Sequence, residues 1–167
     1  VVFDVDTKKI IRQFSVEPNT HNFVFSTDGK ILWTMAGPSG VFRLDAETGK
    51  VTASMKFTSP IRGLKLTPDN QYVMISAANT IEFLDPVTLK TVKKFDNLGV
   101  GQVLYSDISP NQKYIIAPAP FDNQVVIIDV NSGKVLKRIV TGLNPTVALV
   151  DRDNKYAYIT NATDKQL

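Results

Sequence analysis

The side chain best suited to chemistry near neutral pH is His21, the single histidine among 167 residues. It lies in Pro18-Asn19-Thr20-His21-Asn22. A histidine in such a link can ligate haem iron or a metal, pass protons, or bond the nearby backbone. Asn22, Arg62 and Gln102 stand near the starts of corresponding segments and join it as ligand-binding candidates. Four aspartates form a second set: Asp4, Asp45, Asp85 and Asp129. Each closes an apolar run, and each is followed by a hydroxyl residue and then Lys9, Lys50, Lys90 or Lys134. A ring of carboxylates would bind cations. The regular Asp-x-x-Thr/Ser-x-Lys order instead reads as a structural turn, in which the Asp side chain caps the chain reversal and the lysine lies beside it. No catalytic residue and no metal site are assigned. There is no cysteine, which excludes disulfides, thiol chemistry and cysteine-ligated metals. No G-x-S-x-G, Walker-type lysine loop, H-E-x-x-H or EF-hand spacing occurs.

The same aspartates reveal the elements that must position these residues. They are spaced 41, 40 and 44 residues apart. A second marker keeps the period: the polar turns at Asp28, Asp69, Asn111 and Asp153 are 41, 42 and 42 apart. Asp, Asn and Gly favour tight hairpin reversals, by bonding their own backbone and by tolerating positive φ. The repeats run approximately 1–39, 40–79, 80–123 and 124–167 of one domain, or of part of a larger ring.

Between the markers the pattern is that of strands. Arg62-Gly63-Leu64-Lys65-Leu66-Thr67 alternates with period two, as half-buried strands do. Val125-Val126-Ile127-Ile128 is continuously apolar, as in a strand covered on both faces. No segment keeps a helical period, and no helix is predicted. Each repeat resolves into four strands. First strands are expected over 21–27, 60–67, 102–109 and 145–151, and second strands over 30–36, 71–77, 113–118 and 155–161. Third strands are expected over 1–5, 40–45, 80–85 and 124–130, and fourth strands over 9–16, 50–57, 90–96 and 134–140. Strand-rich units with a period near 40 residues predict an all-β propeller of four-stranded antiparallel blades. About four blades of material are present. In such a ring the link holding His21 lies at the mouth of the central channel. Ala117-Pro118-Ala119-Pro120-Phe121-Asp122-Asn123 is a stiff excursion that either covers an edge or joins a binding surface.

The chain runs from a third strand to a second. Joining its ends would put 18 residues between the last turn marker and the first repeated Asp, against internal gaps of 17, 16 and 18. One blade is therefore expected to be split between the termini. It closes within one chain, with a second copy in a larger ring, or within a longer propeller. The first residue is Val, as in a processed product or an excised fragment. The net charge of +3 is spread through the repeats, so no nucleic-acid partner is assigned. No apolar run reaches the roughly 18 residues of a membrane span.

Several of these residues carry a family resemblance. Asn144-Pro145-Thr146-Val147-Ala148-Leu149, Asp153 to Asn161, and Val125 to Asp129 with Ser132-Gly133-Lys134-Val135 resemble the YVTN-type β-propeller repeat. Tyr158-Ile159-Thr160-Asn161 is nearly the tetrapeptide that names it. The earlier repeats depart there, with Leu32-Trp33-Thr34-Met35, Val73-Met74-Ile75-Ser76 and Ile115-Ile116-Ala117-Pro118. The resemblance implies a ring of seven or eight blades and a periplasmic, secreted or cell-surface setting. It implies three kinds of role. The first, taken as leading, is a non-catalytic binding or scaffold module that presents loops around a channel to a protein or small ligand, without a cofactor. The second is a propeller subunit or fragment of a haem- or quinone-dependent redox enzyme, of which cytochrome-type nitrite reductases and amine dehydrogenases are similar examples. Ser106 to Tyr114 is loosely similar to a blade of the former. The third is a surface-layer or adhesion array.

Overall fold

The structure is a computed structural model and describes residues 1–164. The last three residues of the fourth repeat lie outside the described residues. The strands are β1 (Val2–Phe3), β2 (Ile10–Arg12), β3 (Thr20–Phe25), β4 (Ile31–Ala36), β5 (Gly40–Asp45), β6 (Val51–Met55), β7 (Ile61–Leu66) and β8 (Val73–Ala77). They continue as β9 (Thr80–Leu84), β10 (Thr91–Phe95), β11 (Asp107–Ile108), β12 (Tyr114–Ala119), β13 (Gln124–Asp129), β14 (Val135–Val140), β15 (Pro145–Val150) and β16 (Ala157–Asn161). They form three antiparallel four-stranded blades, β3 to β6, β7 to β10 and β11 to β14. Two half-blades, β1–β2 and β15–β16, flank them as separate two-stranded sheets. Among the described residues the expected split blade is thus not joined, because β16 and β1 do not pair within one chain. No described helix is long and apolar enough to cross a membrane.

Burial explains the apolar runs. Trp33, Met35 and Val41 of the first blade pack on Ile61, Leu64, Ile75 and Leu84 of the second. Met74, Ile81, Phe83 and Phe95 pack on Ile108, Ile115, Val126 and Ile128 of the third. Ile116 and Val125 then meet Ala148 of the β15–β16 half-blade. A middle strand such as β8, buried at all five positions, touches a sheet on each face. The outermost β14 is exposed along its whole length and carries Lys137 and Arg138. Trp33 also reaches across a blade boundary, where its indole N–H donates to the Pro86 carbonyl at 2.9 Å.

The turns are built by short polar side chains. Ser26 Oγ donates to Asp28 Oδ1 at 2.6 Å, Thr67 Oγ1 to Asp69 Oδ1 at 2.6 Å, and Ser109 Oγ to Asn111 Oδ1 at 2.8 Å. The next residues, Gly29, Asn70 and Gln112, take positive φ. The fourth turn differs: Asp151, not Asp153, accepts the Lys155 and Tyr156 backbone N–H groups at 2.7 and 3.0 Å. At the same end of each sheet, in the turn from third to fourth strand, Asp45 Oδ1 accepts Thr48 N–H at 2.8 Å and the Thr48 hydroxyl at 2.7 Å. Asp85 does the same with Thr88, and Asp129 with Ser132. Asp4 accepts the Thr7 N–H. The lysine enters through its backbone, not its charge. Asp4, Asp45, Asp85 and Asp129 each donate their N–H to the carbonyl of Lys9, Lys50, Lys90 or Lys134 at 2.9 Å. None of these pairs forms an ion pair among the described residues.

Three expectations from the sequence need correction. The first strand of the third blade was expected over 102–109, but β11 holds only Asp107 and Ile108. Val103 and Tyr105 turn to the neighbouring sheets, where their N–H groups bond the Ala78 and Thr146 carbonyls, while the Leu104 N–H still bonds Pro118 of β12. Strands β1 and β2 are shorter than the expected 1–5 and 9–16. The Pro-rich excursion contains a one-turn 3-10 helix, Pro120–Asp122, where no helix was expected.

The hydroxyl and N–H donors of the turns favour the ionised carboxylate, and hold Asp4, Asp45, Asp85 and Asp129 below the ordinary aspartate value of 3.8. A carboxyl whose folded pKa is depressed stabilises the fold above its unfolded pKa. That contribution is lost as the pH falls from 3.8 through the depressed values. Acid unfolding monitored by circular dichroism should therefore show stability that is flat near neutrality and falls below about pH 4. Thr48→Ala should raise the Asp45 titration midpoint seen by NMR, and leave Asp85 unmoved.

Candidate functional site

The inner strands position the sequence-derived candidates. β3, β7 and β15 each carry a bulge near their start, at His21, Gly63 and Thr146. Bulges re-aim the side chains beside them. His21 Nδ1 lies 2.8 Å from the Asn19 carbonyl. A carbonyl only accepts, so this bond places the proton on Nδ1 and leaves the Nε2 lone pair for another partner. Asn22 is half-buried, and its carbonyl accepts the Thr34 hydroxyl at 2.8 Å. Arg62 donates to the Ile61 carbonyl at 2.8 Å and faces a separate cavity of about 400 Å³ beside Phe57 and Pro60. Gln102 Nε2 is buried without a partner among the described residues. The four candidates therefore do not converge: His21 and Asn22 share β3, while Arg62 and Gln102 stand apart.

A groove of about 740 Å³ lies between the β1–β2 half-blade and β3–β4. Val2, Phe14, Phe23, Phe25 and Leu32 form its apolar wall, and His21 lies in it. Phe23 and Phe25 meet edge-to-face with ring centroids 6.2 Å apart. Arg12 crosses the groove and donates to the Glu47 carbonyl at 3.0 Å. On one flank the Phe14 ring lies against Gly49, where a Cβ would fall 2.2 Å from Phe14 Cγ. An apolar aromatic centre with Arg12, Lys30 and Glu47 around it has the make-up of a binding surface.

The sequence reading missed a polar node on the inner strands. Asp107 is buried. Its Oδ1 accepts Lys65 Nζ at 2.6 Å and Ile108 N–H at 3.0 Å, and its Oδ2 accepts Val150 N–H at 2.7 Å. One carboxylate thus ties β7, β11 and β15. The signal was available: Lys65 and Asp107 hold the same place in consecutive repeats, four residues before Asp69 and Asn111. Beside this node the inner strands nearly touch. Tyr105 N–H donates to the Thr146 carbonyl at 3.0 Å, and Ala148 N–H to the Tyr105 carbonyl at 2.9 Å. The excursion at Pro120–Asp122 covers the segment leading into this contact. Asp122 Oδ2 accepts Val100 N–H at 2.9 Å, and Phe121 lies against Gly101.

No family model matches the chain, and no curated protein matches it. Among solved structures it is similar to Kuenenia stuttgartiensis hydrazine synthase. The identity is 21% and the TM-score 0.74, over 92% of this chain and 46% of that one. The fold is a β-propeller. This chain therefore spans about half the length of the propeller-bearing chain it matches. At that identity the likeness speaks for the fold alone.

In this propeller Gly63 has φ +59°, and a Cβ there would lie 3.2 Å from Tyr105 Cα. Gly29 has φ +70° and open space around it. Gly29→Ala should cost about 1 kcal/mol, and Gly63→Ala more, about 2 kcal/mol, because only the latter also forces two inner strands apart. Urea unfolding of the two variants measures the difference.

Proposed function

We propose that this propeller is a non-catalytic binding and scaffold module that engages a protein partner through the groove between β1–β2 and β3–β4. The observation that carries this reading is the exposed aromatic wall. Phe23 and Phe25 are 63% and 48% exposed on a strand whose other face is packed. A surface apolar at its centre and charged at its rim is the anatomy of a protein interface. Capped turns and the Asp107 node supply a rigid frame for it. On the resemblance to YVTN-type repeats, such a module would work in the periplasm, outside the cell or on its surface.

One observation favours a second reading. His21 lies in the same groove with Nε2 free, and the structural neighbour is named as a synthase. One imidazole nitrogen beside an apolar wall is the donor and lining that a haem would take. In that redox reading His21 would hold the iron.

Titration of the protein with haemin, followed by the Soret band, separates the two. The binding-module reading expects no saturable shift, and no difference between the native protein and His21→Ala. A stoichiometric red-shifted band that is lost in His21→Ala would replace that reading with the redox one.

A further inference from the structure

The two ends of each blade differ. One carries the polar turns. The other carries the loop from second to third strand and the link into the next blade, and at each boundary the loop of one blade meets the following link. Between the second and third blades the two are bonded. Leu98 N–H donates to the Asn79 carbonyl at 3.0 Å, and Val103 N–H to the Ala78 carbonyl at 2.8 Å. Between the third blade and β15–β16, Asn123 supplies the oxygens. Its carbonyl accepts Thr141 N–H at 3.0 Å, and its Oδ1 accepts Asn144 N–H at 3.0 Å. The boundary between the first and second blades has no such bond among the described residues, since the link at 57–60 donates nothing to the loop at 37–39. The cavity of about 400 Å³ beside Arg62 stands there instead, and both of its sides belong to complete blades.

The lining of this cavity is rich in donors and includes no acid. Arg62 is half-buried, spends one N–H on the Ile61 carbonyl, and forms no ion pair among the described residues. The rest of its planar donor fork is left for the cavity. The hydroxyls of Thr58 and Ser59 line it too, and neither bonds a protein acceptor among the described residues. Glu17 belongs to a neighbouring hollow that shares Pro38 and also holds Lys56. The repeat frame does not call for a cation here: His21, Leu104 and Thr146 hold the corresponding place, seven residues before the turn marker. An arginine half-withdrawn from water favours an incoming anion. The remaining wall is apolar and stiff. Phe57 packs on the core between the first two blades, and Pro38 and Pro60 fix the backbone on the two lips.

We propose that this cavity binds a small organic carboxylate. Its carboxylate lies on the Arg62 guanidinium and the Thr58 and Ser59 hydroxyls, and its apolar part lies against Phe57, Pro38 and Pro60. A carboxylate matches the guanidinium fork with two parallel bonds. At the two other boundaries a protein oxygen receives the donors of the link, and here the ligand's oxygens do so. A volume of about 400 Å³ is at the small end of ligand cavities, which suits one ring or branched chain with its acid group. No histidine, carboxylate, lysine or thiol lines the cavity to activate a hydroxyl, so the site binds and does not react. It shares no lining residue with the groove, and a protein there and an acid here can be held together.

Phenylacetate serves as the probe, followed by NMR of the native protein. Saturable shifts should appear at Thr58, Ser59 and the Arg62 Nε–H, and not at His21. Neutral phenylacetamide, of the same shape, should give none. Arg62→Ala should weaken binding about tenfold or more. Arg62→Lys should recover only part of the loss, because an ammonium is a point charge without the fork. Thr58→Glu, at an exposed position, keeps Arg62 and adds a competing carboxylate. It should remove the shifts while its urea midpoint stays near that of the native protein. Absence of saturable shifts in the native protein, or equal binding by Arg62→Ala, would overturn the site. Inorganic phosphate bound as tightly as phenylacetate would overturn the organic part and leave a general anion site. Tighter binding of acetyl-Gly-Gly-Phe than of phenylacetate would assign the carboxylate to a chain terminus and overturn the free acid.

Discussion

A blade of this propeller cannot bury itself. Its middle strands are apolar on both faces, and each face needs another sheet. β8 is buried at every position only because β4 and β12 belong to blades on either side. Every other feature follows from this demand. The period near 40 residues exists because each unit presents the same two faces to its neighbours. The exposed aromatics exist where a neighbour is missing. The groove is therefore not an incidental cleft in a finished surface. It is one blade boundary seen from a single side.

The caps serve this demand at a distance. Asp45, Asp85 and Asp129 draw two or more donors from their own turns, which pins the offset between third and fourth strands. Ser26, Thr67 and Ser109 pin the offset between first and second strands through Asp28, Asp69 and Asn111. A strand slipped by one residue would turn its apolar set away from the next blade. Most residues of these turns are exposed or half-buried, with Thr67, Leu89 and Ser109 buried among them. Their value lies in fixing which residues face the neighbouring sheet.

Much of this was legible in the sequence, and for a physical reason. Turn chemistry is local, so Asp-x-x-Thr-x-Lys and Ser/Thr-x-Asp/Asn announce themselves within six residues. Alternation is local too, and it placed the strands well except at 102–109 and at 1–5 and 9–16, where β1 and β2 are shorter. At 102–109 the chain has the apolar character of a strand, yet Val103 and Tyr105 bond to Ala78 and Thr146 of the neighbouring sheets, and Leu104 alone keeps a bond to β12, at Pro118. Propensity does not reveal that competition. Contacts between repeats were harder to read. Lys65 and Asp107 look like solvated charges until the period sets them side by side. His21, Arg62 and Gln102 looked alike as openers of inner strands, and bulges and local bonds sent them to different surroundings. Asp153 looked like its counterparts, but Asp151, which stands where Ser26, Thr67 and Ser109 stand, accepts both N–H groups that the hydroxyl and the Asp or Asn share in the other turns.

The Asp107 node makes the frame unequal along its length. Burying the Asp107 carboxylate is costly, and the half-exposed Lys65 ammonium and the Ile108 and Val150 N–H donors supply the bonds that offset this. The node joins the second and third blades to the β15–β16 half-blade through one side chain. The corresponding positions elsewhere are Val24 and Leu149, which carry no charge. The first blade is held to the second by apolar packing and the Trp33 to Pro86 bond. Polar ties are directional and tolerate little displacement, whereas apolar contacts allow small sliding. Directional polar ties are thus concentrated around Asp107, whereas the first blade, where Phe23 and Phe25 form the open wall, is joined to the second mainly by apolar contacts.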